Sequence, residues 1–174
     1  TTSSGSGTIT LGQSGETVDM ANASTITLNS GMTNTPGFHA FLSANMESLS
    51  DNTAVKMQCN TERYDVTNVY DNSTNYRFTP GVIGRYFIYG AVLNTADSNS
   101  NLVESEVYIY KNGSSIGKAS FNYTSNYSKI AAPTISIVDD ANATDYYELY
   151  SAVNTNDGGA WKALADTTQQ RTYF

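Results

Sequence analysis

Residues 103–114 read VESEVYIYKNGS, and this stretch indicates the fold most directly. Apolar and polar side chains alternate as far as Ile109, which is the period-two pattern of a β-strand with one buried face. Asn112 and Gly113 then interrupt the pattern before a second β-rich run begins. Both residue types tolerate a positive φ, so the pair predicts a two-residue hairpin turn between antiparallel strands.

The same alternation recurs along the chain on both sides of this hairpin. The further alternating runs are 38–42, 55–59, 116–124, 134–138 and 146–153. Residues 84–94 (GRYFIYGAVLN) are apolar on both faces, which predicts a strand buried between two layers. Short strands at intervals of about 8–12 residues are typical of a sandwich or a barrel. We therefore predict an all-β fold.

The composition excludes several classes of protein. The 174 residues include 9 Lys or Arg and 16 Asp or Glu, for a net charge of −7, so a basic patch for nucleic-acid phosphates is not expected. The single cysteine rules out internal disulfides and multi-cysteine zinc sites. The one histidine, His39, is interpreted as a satisfied surface or interface residue, and Glu104 and Glu106 as a solvated strand face. No apolar run approaches the roughly 20 residues of a membrane helix. We expect no enzymatic activity, no nucleic-acid partner and no membrane insertion.

Residues 1–35 differ in composition from the remainder of the chain. They are small and polar, with the sequence Thr-Ile-Thr-Leu at 8–11 and again at 25–28. Such a segment lacks the bulk for a core of its own, so we predict an extended β-rich leader over 1–35; a linker with residual β-propensity is the alternative. The apolar residues that we name as candidates for strand donation to a neighbouring subunit are Ile9, Leu11, Val18, Ile26 and Leu28.

Five motifs follow one another in residues 36–174. They are PGFHAFL from Pro36, YDNSTNYRFTP from Tyr70, GRYF from Gly84, VYIYKNG from Val107 and DYYELY from Asp145. Their order and spacing resemble the complement C-one-q head and tumour necrosis factor-like jelly-roll superfamily. The resemblance implies a two-sheet antiparallel jelly-roll sandwich over 36–174 that assembles as a homotrimer. Tyrosines suit such interfaces, and those we expect there are Tyr86, Tyr89, Tyr108, Tyr110 and Tyr173.

That family carries a last apolar strand after an aromatic-rich stretch such as residues 171–174, where this sequence stops. We expect either a truncated chain, which is the favoured explanation, or a sheet position that another segment supplies. Residues 7–18 and 24–31 also look like the low-complexity β-shaft leaders of phage tail-fibre and related virion proteins.

The two resemblances together imply a non-enzymatic virion structural or adhesion protein, a phage tail-fibre or capsid-appendage subunit, located on the virion or outside the cell. Its expected partners are its own copies and a host-surface glycan or protein. The alternative is an extracellular filament subunit that polymerises when its N-terminal segment fills the missing strand position of a neighbour.

Two loops supply the remaining candidate residues. The first loop indicates a calcium ion as a cofactor, with the oxygen ligands Asp139, Asp140, Asn142 and Asp145. A plain acidic loop is the alternative, because the sequence lacks the turn glycine and bidentate glutamate of a helix–loop–helix calcium site. Asp157 and Trp161 lie in a predicted late loop, where an exposed Trp beside an Asp suits contact with a sugar; a buried anchor is the alternative.

Overall fold

The computed structural model describes residues 36–97, 101–124 and 128–174. The predicted leader and all of its strand-donation candidates lie outside the described residues. Across the described ranges we find no helix of the length and apolar character needed to cross a membrane.

The described part of the chain is built from antiparallel strands. The strands are β1 (Gly37–Phe41), β2 (Met46–Leu49), β3 (Val55–Lys56), β4 (Thr61–Val66), β5 (Tyr70–Asp71), β6 (Arg77–Phe78), β7 (Gly84–Ala91), β8 (Asn94–Ala96), β9 (Leu102–Lys111), β10 (Ser114–Asn122), β11 (Ile130–Ala131), β12 (Thr134–Ala141), β13 (Tyr147–Thr155) and β14 (Trp161–Ala163). Sheets run in the orders β10-β9-β13-β6-β5, with β3 also beside β13, and β11-β8-β14-β2, while β1 pairs with β4 and β7 with β12. The predicted all-β sandwich is confirmed.

Residues 172–174 connect the pairs β1–β4 and β7–β12 into one layer. Ala40 and Phe174 exchange two backbone hydrogen bonds of 2.8 Å, and Ala91 and Tyr173 exchange two of 3.0 Å. These residues therefore lie between β1 and β7, antiparallel to both. The resulting order across the layer is β4, β1, residues 172–174, β7 and β12.

The core lies between this layer and the β9–β13 sheet. Its most deeply buried large apolar side chains, all at most 1% exposed, are Met57, Val92, Leu102, Val107, Ile109, Tyr147, Leu149, Val153 and Trp161. The layers approach closely at Gly90, where an added Cβ would lie 2.6 Å from Leu149 Cδ1 and 3.2 Å from Tyr173 O, so a larger residue here would force Leu149 to shift. The buried Asn94 amide adds a polar link, donating to Ser105 Oγ at 2.9 Å and to Ser151 Oγ at 2.8 Å.

The hairpin prediction is confirmed. Lys111 pairs with Ser114, and the two residues between them, Asn112 and Gly113, have φ of 51° and 80°. Positive φ at both central positions is the signature of the turn that matches the twist of a hairpin.

Two sequence expectations are wrong. The run 84–94 forms β7 and then β8 rather than one strand, and β7 is buried on one face only: Ile88 is 4% exposed, whereas Phe87 is 64% and Tyr89 37% exposed. Trp161 begins β14 rather than lying in a loop, because it pairs with Ala96 of β8 and Leu49 of β2.

Candidate assembly interface

A row of aromatic rings crosses the outward face of the β4, β1, 172–174 and β7 layer. We call it the aromatic stripe, and its members are Tyr64, His39, Tyr173, Tyr89 and Phe87. Centroids of successive rings are 6.3, 5.4, 5.8 and 5.6 Å apart. These separations are those of aromatic pairs that attract one another, so the rings form one continuous surface.

The stripe arises from alternation on adjacent strands. In β7, Ile88 and Gly90 lie on the inward face, so the side chains of Phe87 and Tyr89 point outward. Cross-strand pairing extends this surface onto β12, where Val138 lies opposite Phe87 and is 63% exposed. A contiguous exposed apolar surface on a soluble domain is typical of an interaction site.

The stripe carries no formal charge at neutral pH. His39 Nε2 and Gln170 Oε1 are 3.1 Å apart, so the histidine is satisfied as the sequence predicted. Partial burial lowers the pKa of His39 below its usual 6.5. The imidazole is therefore neutral at pH 7, and burying the stripe against another surface leaves no charge without a partner.

An apolar groove of about 150 Å³ lies next to Phe174 between β1 and β7, and we call it the β1–β7 groove. Its lining residues are Pro36, Gly37, Phe38, Tyr64, Phe78, Tyr86, Phe87, Ile88, Tyr89 and Phe174. Phe38 stacks on Phe78 at 4.9 Å and meets Phe174 edge-on at 5.1 Å, and these three rings form its apolar floor.

Peptide groups along both walls of the groove point into it. On the first wall, Ala40 bonds to Phe174. Along a β-strand the N–H and C=O groups of successive residues point to opposite sides. Those of Phe38, two residues before Ala40, therefore point to the same side as those of Ala40 and into the groove. On the opposite wall Ala91 bonds to Tyr173, and the peptide groups of Tyr89 and Phe87 point into the groove by the same rule. The groove thus has the walls of a strand position.

The five tyrosines predicted at interfaces lie in three different places. Tyr89 and Tyr173 belong to the aromatic stripe. Tyr86 faces inward, with its ring 5.7 Å from that of Phe78 and its hydroxyl donating to Val82 O at 2.8 Å. Tyr108 and Tyr110 lie on β9 in the other sheet, outside the stripe.

Tyr108 and Tyr110 belong to a polar surface that covers the outer face of β9 and β13. Tyr110 stacks on Tyr150 at 4.1 Å, and the hydroxyl of Tyr108 donates to Glu106. Lys118 also bonds to Glu106, which is only 8% exposed. The prediction that this strand face is solvated is therefore wrong for Glu106, because the side chains of Lys118 and Tyr108 lie across it. Burial raises the pKa of Glu106, but the bonds from Lys118 and Tyr108 outweigh that effect and hold it below its usual value.

Three of the four calcium candidates bind cationic side chains of the protein itself, whereas the backbone N–H of the fourth, Asn142, donates to Asp145 Oδ2 at 2.9 Å. Lys111 Nζ lies 2.7 Å from Asp139 Oδ2 and 3.1 Å from Asp145 Oδ2. Asp140 instead accepts two bonds from Arg85, at 2.8 and 3.1 Å. Within the described ranges no group of three or more His, Cys, Asp or Glu side chains is arranged to hold a metal ion.

The loop predicted to contact a ligand divides into a buried and an exposed residue. Trp161 is 0% exposed, and its Nε1 donates to Ser50 O at 2.9 Å, so the buried-anchor alternative describes it. Asp157 is exposed, and its carboxylate accepts from the backbone N–H of Gly159 at 3.0 Å. The two side chains therefore do not form a common surface for a sugar.

Phe87, Val138 and Tyr64 are exposed residues of this surface that the sequence patterns did not predict. The sequence nevertheless contains an indication of this surface. Residues 84–94 are apolar on both faces, and a strand of that kind has both faces covered by other parts of a protein. No protein-family model matches this chain, and a search of the curated proteins finds no match to it.

Proposed function

We propose that this chain is a non-enzymatic structural and adhesion subunit of a virion, such as a phage tail fibre or capsid appendage, which assembles as a homotrimer. The observation that carries the proposal is the aromatic stripe, which the described residues leave open to water. The resemblance to the complement C-one-q and tumour necrosis factor-like superfamily, together with that of residues 7–31 to virion leaders, supports a trimeric head on a shaft.

The physical character of the stripe suits association between copies. Rings of Phe87 and Tyr89 offer large apolar area with few rotatable bonds, so ordering them costs little entropy. The tyrosine hydroxyls keep a polar end that finds a partner or water at an interface. When the stripe of one copy contacts a different surface of the next copy, and each copy is rotated by one third of a turn from the last, three copies form a closed ring.

Adhesion follows from the number of heads. Three copies present the same loops in one direction, so contacts that are weak singly combine into tight attachment to a repetitive surface. The partner that we propose is a glycan or protein on a host cell, which places the chain on a virion or outside a cell.

Mass in solution tests the proposal. We expect sedimentation to give three times the 18.8 kDa of one chain. Replacing Phe87 and Tyr89 by serine is expected to lower that mass to one chain. A folded monomer in the unaltered protein at every concentration would contradict the proposal.

A second candidate function is favoured by the β1–β7 groove. In an extracellular filament subunit, the N-terminal segment of one copy enters the sheet of the next copy as an added strand. Electron microscopy is expected to show fibres that disappear when residues 1–35 are deleted. Discrete trimers that persist after this deletion would eliminate the filament and leave the trimeric head.

A further inference from the structure

An open pocket of about 570 Å³ lies around the turn between β5 and β6, and we propose that it binds a sugar that carries a carboxylate. We call it the β5–β6 pocket, and its volume is within the roughly 300–1,000 Å³ typical of ligand sites. Besides Asp71, its polar lining residues are Asn68, Asn72, Ser73, Thr74, Arg77 and Thr79. This assignment names the class of glycan for the adhesion function proposed above, on which it rests.

The carboxylate of Asp71 fixes the turn that forms one part of the pocket. Its Oδ1 accepts from the backbone N–H groups of Ser73 at 3.1 Å and Thr74 at 2.9 Å. Its Oδ2 accepts from the backbone and side-chain N–H groups of Asn75, at 3.1 and 2.7 Å. The bond from the N–H of Thr74 contributes most to holding the pKa of Asp71 well below its usual value, so this group is ionised at neutral pH.

A second carboxylate fixes the other segment of the lining. The two oxygens of Asp65 accept from the backbone N–H groups of Val69 at 2.9 Å and Tyr70 at 3.0 Å. The N–H of Thr79 then donates to Val69 O at 2.8 Å, and the side chain of Tyr70 is buried in the core. The pocket is therefore formed before a ligand arrives, which lowers the entropy lost on binding.

Arg77 is the cation of the pocket. Its guanidinium lies over the ring of Tyr146, with Cζ 4.5 Å from the ring centroid. Stacking of this kind occupies the face of the guanidinium and leaves its edge, where the N–H donors lie, able to bind both oxygens of one carboxylate.

Within the described part of the chain Arg77 forms no ion pair. By contrast, Arg85 binds Asp140 at 2.8 Å and Arg171 binds Asp166 at 3.0 Å. Asp71 pairs with Arg77 across the two strands, but its oxygens accept from the turn instead. Since the chain has 16 acidic residues for 9 basic ones, an arginine without a carboxylate partner in a pocket indicates a site for an external carboxylate.

Uncharged groups beside Arg77 indicate that this carboxylate belongs to a sugar. The hydroxyls of Thr74 and Thr79 and the amide of Asn72 line the pocket and have no hydrogen-bond partner among the described residues. Hydroxyl and amide groups both donate to and accept from the hydroxyls of a sugar. A simple anion uses Arg77 alone, and a neutral sugar leaves its charge unmatched, whereas a sugar acid satisfies both kinds of group.

Titration of the isotope-labelled full chain with sodium D-galacturonate, followed by NMR, tests the site. We expect saturable shifts of the side-chain N–H signal of Arg77 and of the backbone N–H signals of Ser73 and Thr74. D-Galactose has a hydroxymethyl group in place of the carboxylate and is expected to bind at least roughly tenfold more weakly. Equal binding of the two sugars, or no shift with either, would overturn the assignment.

Variants of Arg77 separate recognition of the carboxylate from a role in the fold. In Arg77→Gln we expect galacturonate to bind no more tightly than galactose, because the charged fork is lost. Arg77→Lys keeps the charge without the fork and is expected to restore part of the difference. Arg85→Gln is the matched control, since Arg85 is exposed and lies outside this pocket, and should bind as the unaltered chain does. A preference for galacturonate that survives Arg77→Gln, or an equal loss of both sugars, would reject the site.

Sedimentation of the same samples distinguishes failure of the site from failure of the proposed function. A trimer in which galacturonate shifts no signal of the pocket keeps the proposed assembly and rejects this site. A monomer that binds galacturonate through Arg77 keeps the site and rejects the trimeric head.

Discussion

The backbone of Tyr173 exchanges two hydrogen bonds of 3.0 Å with that of Ala91. This pairing inserts residues 172–174 into the layer, because Phe174 is bonded in the same way to Ala40 on the other side. It directs the Tyr173 ring outward, between His39 and Tyr89, and the Phe174 ring inward. One short segment therefore builds both the middle of the aromatic stripe and the end wall of the groove.

The first prediction concerns the stripe. Phe87→Ser/Tyr89→Ser is expected to convert the trimer to monomer, since it removes apolar area from the proposed interface. The head itself should lose no more than about 0.5 kcal/mol at Phe87, which is 64% exposed, and up to about 1 kcal/mol at Tyr89, which is 37% exposed. Sedimentation and urea unfolding measure the two effects separately.

The control for that experiment lies on β10. Ile116 and Phe121 are 42% and 48% exposed but are not part of the stripe. Ile116→Ser/Phe121→Ser is expected to leave the mass unchanged. Equal dissociation in both double variants would show that general surface hydrophobicity, rather than the stripe, causes association.

The second prediction concerns the close approach of the layers at Gly90. An alanine Cβ there would lie 2.6 Å from Leu149 Cδ1 and 3.2 Å from Tyr173 O, so Gly90→Ala is expected to cost about 1–3 kcal/mol of unfolding free energy. Gly37→Ala, with open space around the added atom, is the control and should be neutral or slightly stabilising. Urea unfolding checks both, and equal midpoints for Gly90→Ala and the unaltered chain would contradict the packing of β7 described above.

The third prediction concerns Trp161. Trp161→Phe removes the hydrogen bond to the carbonyl of Ser50, an exposed residue, which is expected to cost about 0.5–1.5 kcal/mol. Trp161→Ala adds a cavity and should cost about 3–5 kcal/mol. Quenching by acrylamide provides an independent check on the unaltered protein, since a fully buried ring is protected. Efficient quenching, or quenching that decreases when a host glycan is added, would show that Trp161 is exposed and belongs to a ligand-binding surface.

The fourth prediction concerns acid. Hydrogen bonds from the Asn112 side chain and the Asn142 backbone, with Lys111 close by, lower the pKa of Asp145 from 3.8 to about 2. A depressed carboxyl pKa stabilises the fold fully above the unfolded value and loses that effect as pH falls through the folded value. We therefore expect the melting temperature to fall between about pH 4 and pH 2. In Asp145→Asn the fall over this interval should be smaller, and an unchanged profile would contradict the coupling.

The calcium candidates give a fifth prediction. A cation entering between Asp139 and Asp145 must displace the ammonium of Lys111, which already bonds to both. We expect millimolar calcium and EDTA to give the same melting temperature. A calcium-dependent rise would show that the ion displaces Lys111 and would restore the predicted site.

Local patterns predicted the local structure well. The hairpin at Asn112 and Gly113 and the strands on either side depend on neighbours in sequence, so alternation and turn chemistry are enough to place them. The end of β7 could not be predicted in this way, because residues 84–94 look uniformly apolar. The break before β8 depends on pairing with distant residues: Ala91 bonds to Tyr173, and the N–H of Val92 donates to Pro133 O at 3.2 Å.

The site was harder to predict because it is assembled from distant segments. The β1–β7 groove is built by β1, β7 and residues 172–174, which are far apart in the chain. Sequence alternation shows that Phe87 and Tyr89 share a face but not which sheet covers that face. The burial of Glu106 likewise depends on Lys118 and Tyr108 lying across it, which no pattern within β9 reveals.

Sedimentation equilibrium of the unaltered full chain tests the central claim, self-assembly through the aromatic stripe, most directly. The account predicts a concentration-stable mass of three times 18.8 kDa that reverts to a single chain in Phe87→Ser/Tyr89→Ser. A folded species of 18.8 kDa at all concentrations, with no higher assembly, would contradict it.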